Sequence, residues 1–115
     1  MKFFAIVAVL LGAVAVSGVQ AADFPINWRV ETYEPITVAP GDTVTFTWLG
    51  THGVVKIPTE ECPTSFASNP EVTVLAPETA EGTYVWTATE PGVTWVTCQV
   101  GSHCANGQKI GITVA

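Results

Sequence analysis

The chain has 115 residues, with four basic and ten acidic side chains and a formal net charge of −6. Such a balance argues against a nucleic-acid partner, because phosphates reward a basic surface. The length suits a single domain, and no repeat or linker interrupts it.

The first element is a leader. Lys2 precedes an apolar run over residues 3–16, and small residues follow at 17–21, ending in Val19-Gln20-Ala21. This is the layout of a secretory signal peptide, and the run is shorter than the roughly 18–20 residues a membrane-crossing helix needs. Residues 1–21 are therefore expected to be removed after Ala21, leaving a secreted domain of residues 22–115. That domain keeps only Arg29, Lys56 and Lys109 as basic residues, and it ends at Ala115 with neither a Pro/Ser-rich tail nor an anchor signal. A free, monomeric, acidic protein is expected, with no membrane anchor.

After the leader, short runs rich in Val, Thr, Ile, Phe and Trp alternate with Pro and Gly. The pattern predicts strands at 27–32, 36–38, 43–48, 52–57, 72–75, 82–88, 93–98 and 109–114. Turns are expected at Pro40-Gly41-Asp42, Leu49-Gly50, Asn69-Pro70, Glu81-Gly82 and Pro91-Gly92. Val44, Phe46 and Trp48 alternate with threonines, and Ile110, Ile112 and Val114 repeat the alternation in the last strand, so each strand offers one face to a core. No helical periodicity of useful length is present; residues 60–68 are read as loop. The fold class is all-β, a two-sheet sandwich or small barrel. Trp48, Trp86 and Trp95 are read as core aromatics.

Three cysteines in an oxidising compartment leave one thiol without a disulfide partner. Of these three and the only two histidines, all but one crowd two places. Cys98, His103 and Gln108 are spaced C-x4-H-x4-Q between the last two predicted strands, and His52 opens a strand after the 49–51 segment. If both places lie at one end of the sandwich, a thiolate, two imidazoles and an amide oxygen converge. That donor set suits copper in both oxidation states. A Cys2His2 zinc set can also be counted by recruiting Cys104, but zinc ligands come in pairs two to four residues apart and these do not. With Cys98 on a metal, Cys62 and Cys104 remain to pair; Cys62 with Cys98 is the alternative, and sequence alone gives no connectivity.

The run Thr97-Cys98-Gln99-Val100-Gly101-Ser102-His103-Cys104-Ala105-Asn106-Gly107-Gln108-Lys109-Ile110, with Thr51-His52-Gly53-Val54-Val55-Lys56 and Cys62 upstream, resembles the phytocyanins, the plant-type cupredoxins. The resemblance implies a Greek-key β-sandwich with one type 1 copper ion held by His52, Cys98, His103 and an axial Gln108. It also implies the disulfide Cys62–Cys104. An axial glutamine is similar to the stellacyanin branch, where other branches carry methionine. Gly53 departs from the family, which usually has asparagine there to tie the ligand segments together, so a looser site is expected. The residues around 24–33 also match the family poorly.

The function implied is one-electron transfer between Cu(II) and Cu(I), with a small redox protein or a small-molecule electron donor or acceptor as partner. An extracellular copper-binding or structural module without a redox role is the alternative. An enzyme using Cys98 as nucleophile is not expected, because no third orienting residue or oxyanion arrangement accompanies it.

Overall fold

A computed structural model describes residues 20–115. The expected leader lies outside the described residues except for Gln20 and Ala21. Among the described residues every regular element is a strand, and no helix is long and apolar enough to cross a membrane. The strands are β1 (Asp23–Asn27), β2 (Ile36–Val38), β3 (Thr43–Ile57), β4 (Thr73–Thr87), β5 (Gly92–Thr97) and β6 (Lys109–Val114).

The sheet runs in the order β1-β3-β5-β6-β2, with β4 on β3 as well. The β1/β3 and β2/β6 pairs are parallel and the remaining pairs antiparallel. The beginning of β3 pairs with β1 and β4, whereas its last residues, Val55–Ile57, pair with β5. One long strand thus belongs to both arms of a curled sheet, and the arms close on a single core. Val44, Phe46 and Trp48 are buried in it from β3, and Ile110, Ile112 and Val114 from β6, as their alternation requires. Trp28 meets Phe46 edge-on at 4.9 Å between ring centroids.

Two expected turns lie inside strands. Residues 43–48 and 52–57 lie on one strand, and the segments expected at 72–75 and 82–88 lie, but for Val72 and Ala88, on another. At Gly50 the backbone takes φ 81°, and the register with β4 shifts between Leu49 and His52, so the glycine serves a bulge and not a reversal. Gly82 faces Trp48, where a Cβ would come within 2.5 Å of the indole; it makes room for a ring, and Trp48 Nε1 donates to Thr79 O at 3.2 Å. The strand expected at 27–32 is also displaced, to Asp23–Asn27. Beyond Asn27 the chain bends around the Tyr33 hydroxyl, which accepts from Arg29 N and donates to Asn27 O, so the apparent alternation there marks a corner.

Two aspartates hold the amino-terminal edge. Asp23 accepts from the hydroxyls of Thr43 and Thr45, and Asp42 from the backbone N–H of Ala22 and Ala39. These bonds favour the carboxylates and hold both pKa values below the ordinary one. A carboxyl with a lower pKa folded than unfolded adds stability above its unfolded pKa, and that stability is lost as pH falls through the folded value. Thermal midpoints are therefore expected to hold down to about pH 4 and to fall below it, and Asp42→Asn should flatten the acid limb of the profile. An unchanged acid limb in that variant would remove this role.

Candidate metal centre

The end of β5 and the start of β6 are tied together before any donor is considered. The carbonyl of Gln108 accepts from both Cys98 N (3.2 Å) and the Thr97 hydroxyl (2.7 Å), which sets residues 98 and 108 opposite each other. Between them the chain folds on itself: His103 N donates to Val100 O (2.9 Å) and Gln108 N to His103 O (3.0 Å). A loop so closed fixes His103 above Cys98. From the other direction, the bulge after Gly50 turns His52 inward, and His52 through Val55 are all buried.

Three donors meet there. Cys98 Sγ lies 3.4 Å from His103 Nδ1 and 3.8 Å from His52 Nδ1, and the imidazole centroids are 4.9 Å apart. Two donors held by one ion, at about 2.0 Å from nitrogen and about 2.3 Å from sulfur, would stand about 3.5–3.7 Å apart, so the spacing fits a shared ion. Among the described residues this is the one group of three or more His, Cys, Asp or Glu donors able to share a metal. Gln108 is fully buried beside it, and neither atom of its amide has a hydrogen-bond partner of good geometry. An orphaned amide at that depth is costly unless it faces a ligand. One sulfur, two imidazoles and an amide make a set that fits a single copper ion.

Burial dominates the electrostatics of two of the donors. Burial pushes the Cys98 thiol up, while the N–H groups of Val100 and Gly53 approach its sulfur and favour the thiolate, and Glu78 opposes them. Burial likewise lowers His52, as does His103 nearby; the amide of Gln108 beside the ring pulls the other way. A neutral imidazole is the form that binds metal.

Cys62 and Cys104 form a disulfide, and Cys98 is free and buried. The bridge removes Cys104 as a zinc ligand and rules out the pairing of Cys62 with Cys98. Lys109 Nζ, on the first residue of β6, donates to Glu60 O beside the bridge and ties the loop before β4 to the ligand loop a second time.

Two residues of the centre escaped the sequence reading. Trp28 is completely buried and donates its indole N–H to Gly53 O at 2.9 Å, anchoring the peptide that follows His52. Gln99 reaches from the residue after Cys98 toward that same glycine. Only adjacency to a ligand could have singled out Gln99; nothing in sequence linked Trp28 to residue 53.

No family model and no curated protein sequence matches this chain. Solved structures do. Cucumber stellacyanin in its Cu2+ form is 21% identical over 84% of this chain and 97% of its own, with a TM-score of 0.58. Spinach plantacyanin is 19% identical over 81% of this chain and 99% of its own (TM-score 0.54), and oxidised plastocyanin from Dryopteris crassirhizoma is 21% identical over 81% and 99% (TM-score 0.52). Likeness at these identities speaks for the shape of the chain, and with its strand order and core it makes this protein one of cupredoxin fold.

Proposed function

We propose that this protein is a secreted blue copper protein of the phytocyanin kind, a one-electron carrier and not an enzyme. One observation carries the reading: the single free cysteine lies buried with its sulfur 3.8 and 3.4 Å from the Nδ1 atoms of the only two histidines, the three donors ringing one point. His52, Cys98 and His103 would hold the copper, and the amide of Gln108 would lie on the axis. Bound copper supplies the cycling between Cu(II) and Cu(I). The chain's part is to keep the donors still, because a strand end, a bulge and a hydrogen-bonded loop leave them little room to relax as the charge changes. His103 is less buried than His52, so its ring edge is the natural exit for an electron to a small redox protein or a small-molecule donor or acceptor.

The leader supports secretion. Cleavage after Ala21 would leave every strand intact, since β1 begins at Asp23, and would set the new α-amino group of Ala22 on the Asp42 carboxylate, 2.9 Å away.

Copper-loaded protein is expected to show an intense visible thiolate–copper band and one copper per chain; a colourless copper form, or native protein holding zinc or no metal, would sink the proposal. Gln108→Met replaces a hard oxygen donor by a soft thioether, so the reduction potential should rise. The same change removes two orphaned polar atoms from the interior, so the metal-free variant should be more stable by about 1–3 kcal/mol. A potential that is unchanged or falls would take the amide of Gln108 off the axis.

A further inference from the structure

Gly53 follows one donor and Gln99 follows another, and the two residues are packed on each other. A Cβ built on Gly53 would fall 2.5 Å from Gln99 Nε2, 2.7 Å from Oε1 and 2.8 Å from Cδ. The amide of Gln99 therefore lies flat across a bare Cα. Gly53 is not among the glycines with positive φ, so its backbone would accept a side chain; what forbids one is Gln99. From that place Gln99 Nε2 reaches on to Ala76 O in β4 at 3.3 Å. Its Oε1 is buried with no partner, a cost that an apolar residue of similar length would avoid. Shape alone does not explain a glutamine here.

Its neighbours do. Gly53, which Gln99 covers, follows His52 in the chain, and Gln99 itself follows Cys98. Trp28 holds the Gly53 carbonyl from the core side. Gly53 is thus held twice, its carbonyl by the indole and its Cα by the amide packed on it.

We propose that Gln99 is the positioning residue of the metal centre: by packing on Gly53 and tying the ligand loop to β4, it fixes His52 against Cys98. The looseness expected from the missing asparagine at position 53 does not follow, because the tie comes from the other ligand segment. This inference rests on the copper reading. Donors held less firmly let the oxidised metal relax toward the geometry it prefers, so loss of the tie should lower the potential.

The test is a double-mutant cycle on copper-loaded full-length chain, read by copper affinity, reduction potential and electron-spin spectrum, with amide hydrogen exchange on the metal-free forms. Gln99→Ala should weaken copper binding about 10- to 100-fold, lower the potential and speed exchange at Gly53 and Val100. Gln99→Met, which keeps the packing and loses the bond to Ala76, should fall between it and wild type. Gly53→Ala should be damaging alone, yet nearly harmless in the Gln99→Ala background, where the methyl finds space. Wild type without a blue band would refute the copper reading itself. A blue wild type whose potential and exchange are unmoved by Gln99→Ala, or additive effects in the cycle, would refute the role of Gln99 alone. Should Gln99→Ala fail to fold, the Gln99→Met potential decides: a value equal to wild type overturns the proposal.

Discussion

Replacing Cys98 by serine is expected to abolish the visible colour of the copper-loaded protein while leaving the β fold in place. The sulfur is completely buried and stands within 3.4 and 3.8 Å of two imidazole nitrogens, so it is the donor around which the others are arranged. A serine oxygen fills nearly the same space but is not a thiolate, and a soft donor is what lets one site serve both oxidation states of copper. Copper affinity should drop by more than the roughly 10- to 100-fold that loss of an outer-shell partner costs. Visible absorption, metal analysis and far-ultraviolet circular dichroism together separate lost chemistry from lost structure. A serine variant that stays strongly coloured would show that the band has another origin, and the centre would have to be sought elsewhere.

The second large effect should come from Cys62→Ser with Cys104→Ser. The bridge closes a separation of 42 residues, for which chain-entropy reasoning gives about 4 kcal/mol. In a domain of this size that corresponds to a fall in melting temperature of more than about 15 °C. Function should suffer with stability, because Cys104 adjoins His103 and the bridge pins that loop to the segment before β4. Urea and thermal unfolding of the metal-free variants measure the first effect, and copper titration the second. An unfolding midpoint equal to wild type would mean that Lys109 and the loop's own hydrogen bonds already supply the restraint.

The sequence announced those features whose signal is local. Alternation in 43–48 and 109–114 marks buried faces because side chains in a strand change sides at every residue. The donors could be named because a thiol without a disulfide partner, two histidines and a spaced glutamine are chemically rare. Other features depended on distance. Gly50 looks the same in a tight turn and in a bulge, and only pairing with β4 distinguishes them. Residues 27–32 alternate like a strand but turn a corner on Tyr33, which lies beyond the window that periodicity inspects. Connectivity of the cysteines, the reach of Trp28 and the packing of Gln99 on Gly53 all join residues far apart in the chain, and no composition or spacing encodes them.

β3 carries the core stripe of Val44, Phe46 and Trp48 and then, past its bulge, delivers His52. A slip of one residue against β4 would turn that stripe toward solvent and swing the histidine away from Cys98 in the same movement. Scaffold and centre thus share a single register, and a molecule that has assembled its interior correctly has, by that act, already aimed its first imidazole.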